Sequence, residues 1–297
     1  MPMLSKKQVT ARTGLSATTI WRQVRTGGFP KPRQLAPNRI GWVETEVQDL
    51  LPTARRCVDA GMNIHLDKPA GENLADFKQL LDEVGRRQLH LQMGYIYRYH
   101  TAMQFCYKAV ADGWLGDVFE VHAVMSKKVN AASRRYLSRY AGGSMFEIGC
   151  HVIDATIRVL GKPKKITAYA RQTHPKQDPL VDNQLAVFDY PNAIASVKST
   201  LIEYEGFQRR QFTVCGEFGT FDLRPLGGQS FRLALEHPKG DYKKGYQDVT
   251  LPKGPGIFVS AFRDMAAVLR GEKKTDYSLE HELAVHEAIL RSSGYKV

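Results

Sequence analysis

The sequence predicts a mixed α+β protein in three parts: a small helix-turn-helix domain over residues 1–51, a strand–helix–strand unit over 52–100, and a mostly antiparallel open-sheet α/β domain over 101–297. Three observations carry that division. Residues 1–43 hold eight Lys or Arg and no Asp or Glu, within two short, well-punctuated helical patterns. From Pro52 the pattern becomes apolar strand, amphipathic helix, apolar strand. From about residue 118 it becomes a succession of alternating β runs joined by short turns, with a helical end.

At 297 residues the chain is long enough for two or three cores. Hydrophobic content of 43%, charged content of 24% and a net charge of +12 fit a globular protein with an acidic partner for its basic segment. The opening "MPMLSKKQVTARTG" has no apolar h-region and no later run reaches membrane-span length, so the expectation is a cytoplasmic protein without a membrane partner. Cys57, Cys106, Cys150 and Cys215 are scattered, with no C-x-x-C pair, which suits a reducing compartment and offers no metal site.

Ser5 caps a first helix that Gly14 can close, and Ser16 caps a second on which Ile20 and Val24 share one face. The second helix of such a pair enters a DNA major groove, so Thr18, Thr19, Arg22 and Arg25 are the candidate duplex-DNA contacts. "RQLAPNRIGW" reads as a hairpin turning at Pro37-Asn38, and "ETEVQDLL" as a third helix. A basic three-helix cap without a DNA role is the alternative. The segment resembles the AlpA-like prophage regulators, on its "TGLS" turn, "GGFPKP" exit and "IGWVETEV".

"MNIHL" and "LHLQMGY" flank the helix "ENLADFKQLLDEVGRRQ", one βαβ unit of a parallel sheet. Lys68 stands just past the first strand, in Asp67-Lys68-Pro69, where an open α/β sheet puts its chemistry. "IYRYHTAMQFCYKAVADGWLG" reads as a helix with Gly116 near its end. Eight β runs follow, with hairpin connections at 190–192 and 216–219. Near the C-terminus Phe258, Phe262, Met265 and Leu269 recur at helical spacing until Gly271.

The segment with chemical content is "GGSMFEIGCHVIDATIRVLG" at 142–161. Glu147, His151 and Asp154 fall at i, i+4 and i+7, on one helix face, where a carboxylate one turn away can orient a histidine. A core histidine satisfied by its own glutamate gives the same pattern. "HELAVHE" at 281–287 is not a zinc motif, because His281 and His286 are five apart and point in different directions.

From about residue 53 onward the chain resembles the Gfo/Idh/MocA oxidoreductases, on Asp67-Lys68-Pro69, "MGYIYRYH" and the 142–161 segment, with Glu147 where the family has Asp. The resemblance implies hydride transfer between a sugar or polyol hydroxyl and NAD or NADP. It implies that Lys68 holds the substrate hydroxyl, that His151 takes its proton and that Glu147 orients His151, all three converging on one pocket. Arg98, Tyr97 and Asp154 would contact substrate, Asp67, Lys68 and Pro69 the nicotinamide end of the cofactor. The open sheet would form a homo-oligomer.

The family's dinucleotide-binding fold opens with G-x-G-x-x-G, and this sequence contains none. Residues 52–100 are therefore expected to be a truncated Rossmann βαβ remnant, binding the cofactor weakly or not at all. Two functions compete: an impaired oxidoreductase, and a DNA-binding regulator using the oxidoreductase-like domain as a sensor or dimerisation module.

Overall fold

The computed structural model describes residues 3–13, 16–26, 31–36, 39–43 and 50–297, in two compact units, 1–93 and 94–297. The first begins β1 (Met3–Leu4), α1 (Lys6–Thr13), α2 (Ala17–Thr26), β2 (Arg33–Ala36) and β3 (Arg39–Val43). Ser5 and Gln8 cap α1 reciprocally: the Gln8 amide donates to Ser5 Oγ (3.4 Å) and the Ser5 amide to Gln8 Oε1 (2.9 Å). The Thr19 amide donates to Ser16 Oγ (3.1 Å) at the start of α2. Ile20 and Val24 turn inward onto Leu4 and Val9, with Trp21 and Ile40 packed alongside. The β2–β3 hairpin forms as expected, and β1 adds a short antiparallel strand beside β3 that the sequence pattern did not reveal. The expected "TGLS" turn, the "GGFP" exit, the Pro37-Asn38 tip and most of the "ETEVQDLL" helix lie, at 14–15, 27–30, 37–38 and 44–49, outside the described residues.

The unit continues with α3 (Leu50–Asp59), β4 (Ile64–Leu66), α4 (Leu74–Arg86) and β5 (Leu91–Met93). β4 and β5 pair in parallel, Ile64 opposite Leu91 and Leu66 opposite Met93. The amphipathic α4 buries Phe77, Leu80, Leu81 and Val84. Among the described residues this parallel sheet has two strands.

The second unit opens with a 3₁₀ turn at Ile96–Tyr99, followed by α5 (Thr101–Ala111), β6 (Val118–Ser126) and α6 (Ala131–Leu137). The single helix expected over 96–116 is thus divided, because His100 is extended (φ −77°, ψ 128°) and the chain leaves α5 through Gly113 at φ +69°. One π-helical turn, Met145–Gly149, leads into α7 (Cys150–Leu160). Then come β7 (Lys165–Arg171), β8 (Asn183–Asp189), β9 (Ile194–Thr200), α8 (Gly206–Arg209), β10 (Gln211–Gly216), β11 (Gly219–Leu223), β12 (Ser230–Leu235), β13 (Gly245–Thr250), α9 (Ile257–Leu269) and α10 (Leu279–Ser292).

All eight expected β runs join one sheet in the order β13-β12-β11-β10-β6-β9-β8-β7, antiparallel except for the β6–β9 pair. Alternation sets its faces: in β8, Gln184, Ala186 and Phe188 are buried, while Asn183, Leu185 and Val187 are half-exposed. α7 packs on β6 and β9 with α10 beside it, so the segment carrying the stripe lies against the buried face. Helix α9 differs from its pattern, since Phe258 and Phe262 are 64% and 53% exposed and the buried residue is Ala261. No helix among the described residues is long and apolar enough to cross a membrane.

Candidate active site

The entry to the stripe depends on a glycine. Gly143 sits at φ +54°, and a Cβ there would come 2.0 Å from the Val181 carbonyl oxygen, so a larger residue cannot pass this strand connection. The following amides find partners on the sheet: Ser144 N–H donates to Val181 O (2.8 Å) and Met145 N–H to Gln184 Oε1 (2.8 Å). Ser199 Oγ donates to the Ser144 carbonyl (2.8 Å). β8 and β9 thereby fix where the helix begins.

The π turn alters the spacing on which the stripe was read. A wider i→i+5 turn over 145–149 precedes regular helix from Cys150, so Glu147 and His151 belong to differently wound segments. Glu147, 31% exposed, ion-pairs with Lys127 at the end of β6 (Nζ–Oε1 3.5 Å). His151 is nearly buried, and the Ile96 amide donates to its Nδ1 (3.4 Å). Tyr95 and Tyr97 meet the imidazole edge to face, with centroids at 6.2 and 6.1 Å. The Tyr97 hydroxyl donates to Met125 Sδ (3.6 Å), and burial pushes it above its ordinary pKa.

Arg98 and Asp154, expected as substrate contacts, are both fully buried and paired with each other in an ion network. Arg98 donates to Asp154 (Nη2–Oδ1 2.6 Å, Nε–Oδ1 3.1 Å) and to Glu282 of α10 (Nη1–Oε1 2.6 Å, Nη2–Oε2 2.7 Å). Its guanidinium lies over the Tyr277 ring at 3.9 Å and the Tyr95 ring at 4.8 Å. His281 Nε2 lies 3.3 Å from Asp154 Oδ1. Burial alone would raise the Asp154 pKa; the Arg98 charge outweighs it and holds the carboxyl below its usual range. Burial likewise acts against the Arg98 charge, and the two carboxylates overcome it. The network ties the 95–99 segment, α7 and α10 together, and so holds the backbone that contacts His151.

Glu282, Tyr277 and Tyr95 were not singled out from the sequence, and His281 was named there only in rejecting a zinc motif. The available signal was a charged pair inside the apolar run of α10, in the segment considered only as a metal motif. In the first unit, Lys68 stands two residues past the end of β4, its amide donating to Asp67 Oδ1 (2.8 Å), and the Lys68–Pro69 bond is cis. On α2, Thr18, Arg22 and Arg25 are exposed, whereas Thr19 is half-buried with Oγ1 2.9 Å from the capping Ser16 Oγ. Among the described residues no His, Cys, Asp and Glu cluster is arranged for a metal.

Comparison with known proteins gives two family matches: residues 103–222 to the GFO/IDH/MocA C-terminal domain, and residues 3–53 to the prophage CP4-57 regulatory protein (AlpA). The trans-1,2-dihydrobenzene-1,2-diol dehydrogenase of Bos taurus is 25% identical over 198 residues, 60% of this chain and 58% of that protein. The chain spans about half the length of the curated relatives it matches. An oxidoreductase from Agrobacterium radiobacter in complex with NAD+, L-tartaric acid and magnesium has a TM-score of 0.69 at 16% identity, over 83% of this chain and 75% of that one. The aldose-aldose oxidoreductase of Caulobacter crescentus, complexed with glycerol, has a TM-score of 0.69 at 18% identity, over 82% and 74%. At these identities the structural likeness speaks for the fold.

Proposed function

We propose, from the match of residues 103–222 to the GFO/IDH/MocA C-terminal domain, an oxidoreductase acting on a sugar or polyol hydroxyl, with NAD or NADP as the family's redox partner. The observation that carries this reading is His151, held between two tyrosines and a main-chain amide on a helix pinned to the sheet. A surface histidine would have no such frame. In this reading His151 meets the reacting oxygen, and Glu147 with its Lys127 partner borders it. Arg98 and Asp154 act at one remove, by fixing the segment that holds His151. The half-exposed face of the eight-stranded sheet, with Phe119 and Ile194 on its surface, is the proposed oligomer contact.

The helix after β4 does not offer free N-terminal amides to the pyrophosphate of a dinucleotide. A dinucleotide fold puts that group on the free amides of the helix after its first strand. Here the amides of Ala75 and Asp76, after β4, already donate to Asn73 Oδ1 (2.9 and 3.2 Å), and Asp76 adds negative charge. Cofactor affinity is accordingly proposed to be weak. The test is turnover of the 297-residue chain with a panel of polyols at millimolar NAD+ or NADP+. Slow oxidation abolished by His151→Gln supports the reading, and the absence of oxidation with every polyol sinks it.

A second reading, a DNA-binding regulator with an oxidoreductase-like sensor, is favoured by α2. Its buried Ile20 and Val24 leave Thr18, Arg22 and Arg25 exposed on an element from a segment without acidic residues. A gel shift with duplex DNA at low salt tests it.

A further inference from the structure

We infer that Arg210 anchors an anionic group of the substrate, so that the chain takes a polyhydroxy acid or a sugar phosphate in preference to a neutral polyol. The inference deepens the proposed oxidoreductase reading and rests on it for the hydroxyl that meets His151.

The buried arginines of the second unit are of two kinds. Arg98 is fully buried and holds two carboxylates, Asp154 and Glu282. Arg134 is nearly buried and also holds two, Asp178 and Asp182. Arg210 is 8% exposed, and none of its described partners is a carboxylate. Its Nε donates to the Ser126 carbonyl (2.9 Å), its guanidinium carbon lies 3.9 Å from the centre of the Phe207 ring, and a further contact reaches the Tyr97 hydroxyl. A guanidinium has five N–H donors, and one carbonyl and one phenol leave most of them unused. Taking such a charge out of water is unfavourable unless an anion meets it. The fold matches the other two cations with its own carboxylates and leaves this one to a ligand.

The position is built into the sheet. Arg210 stands between α8 and β10, and α8 approaches the end of β6 so closely that a Cβ on Gly206 would come 2.9 Å from the Lys127 amide nitrogen. The same end of β6 carries the Lys127 side chain to Glu147. Tyr97 links the guanidinium to the candidate catalytic group. Its ring meets His151 edge to face with centroids 6.1 Å apart, and its hydroxyl meets Arg210. Burial pushes the Tyr97 pKa up, and the charge and hydrogen bond of Arg210 act against that rise. Arg210 and His151 thus touch one aromatic ring, a separation that a short polyhydroxy chain covers with its acid on the guanidinium and a hydroxyl at the imidazole. The planar fork fits a carboxylate or a phosphate with two parallel hydrogen bonds, whereas a neutral hydroxyl offers one oxygen and no charge.

The test is calorimetric titration of the full chain, at low salt and about pH 7.5, where carboxylates are ionised. The probes are D-gluconate, D-glucitol 6-phosphate and neutral D-glucitol. At least one acid should bind about tenfold or more tightly than glucitol, the scale of a hydrogen bond to a charged group. Preference for gluconate alone assigns a carboxylate, and preference for the phosphate alone assigns a phosphate ester. Arg210→Gln, checked for folding by circular dichroism, should bind all three alike. Arg210→Lys keeps the charge without the fork and should retain only part of the preference.

Glucitol binding as tightly as both acids overturns the inference, as does a preference that survives Arg210→Gln, or the failure of all three probes to bind at millimolar concentration. If Arg210→Gln does not fold, an undiminished preference in Arg210→Lys overturns it. No turnover enters the measurement. A chain that prefers acids through Arg210 but oxidises nothing would defeat the proposed reaction and leave the anion site standing, and one that oxidises neutral polyols without that preference would do the reverse.

Discussion

Arg98→Met would leave Asp154 and Glu282 in a space without solvent, where their side chains are 1% and 0% exposed. Breaking a buried ion pair by removing one partner costs about 3–5 kcal/mol, because the remaining charge stays desolvated. Here one cation serves two carboxylates and also lies 3.9 Å from the Tyr277 ring, which moves the estimate toward the upper end. The His281 contact to Asp154 at 3.3 Å and proton uptake by Asp154 act in the other direction. A net loss of about 4 kcal/mol is expected, and in a unit of this size that lowers the melting temperature by about 8–16 °C.

Thermal unfolding followed by circular dichroism reads this directly, and its pH dependence identifies the cause. In the wild type the Asp154 pKa is held below its ordinary value, so the stability it contributes is present above about pH 4 and is lost as pH falls through the lower folded value. Without Arg98, burial, which raises the Asp154 pKa, is opposed only by the His281 contact, so acidification neutralises Asp154 and relieves the variant first. The gap between variant and wild type should narrow from pH 7 to about pH 4.5. Neutralising both partners in Arg98→Met/Asp154→Asn/Glu282→Gln should recover most of the loss. A melting temperature within about 2 °C of wild type, or a gap that ignores pH, would refute the reasoning.

His286, buried in α10, has its pKa lowered by burial to about 4. Its contribution, about 3 kcal/mol at 1.4 kcal/mol per pH unit, is therefore full above pH 6.5 and lost on acidification toward pH 4. Urea midpoints of His286→Met should lack that slope, and a slope equal to wild type would count against it. For DNA, Arg22→Ala/Arg25→Ala should abolish low-salt gel shifts or reduce the log–log salt slope by roughly 2, and indistinguishable binding by wild type and variant would exclude these arginines as phosphate contacts. Fluorescence titration with NADH and NADPH should show no saturation at low micromolar concentration; saturation there would mean that another group supplies the pyrophosphate contacts.

The sheet was legible because each strand declares itself locally. Alternation in "NQLAVFD" or "IASVKST" needs no partner to be read, and short connections such as 190–192 dictate antiparallel neighbours. The β6–β9 parallel pair was not legible, because nothing within either strand names a neighbour about seventy residues away. Helix α9 misleads for a related reason. Its apolar period is real, but periodicity identifies a face and not what covers it, and Phe258 and Phe262 remain exposed.

The site divides along the same line. Glu147, His151 and Asp154 were found because three polar residues at helical spacing interrupt an apolar run. Their roles could not be found that way. A stripe assigns its members a common face, whereas the π turn changes the winding after Glu147, and the partners come from elsewhere: Lys127 from the end of β6, Ile96 from the 3₁₀ turn, Arg98 from the same turn. Asp154 illustrates the limit most clearly. On the sequence it stands one turn beyond a reactive histidine, like a substrate ligand. In the fold it is buried against Arg98, whose other partner, Glu282, lies 184 residues further along the chain. Burying a carboxylate without such a cation costs several kcal/mol, so the chain must satisfy Asp154 before it can use the helix at all. Having done so through Arg98, it also fixes the backbone amide that meets His151, and one arrangement serves both stability and the chemistry of the ring.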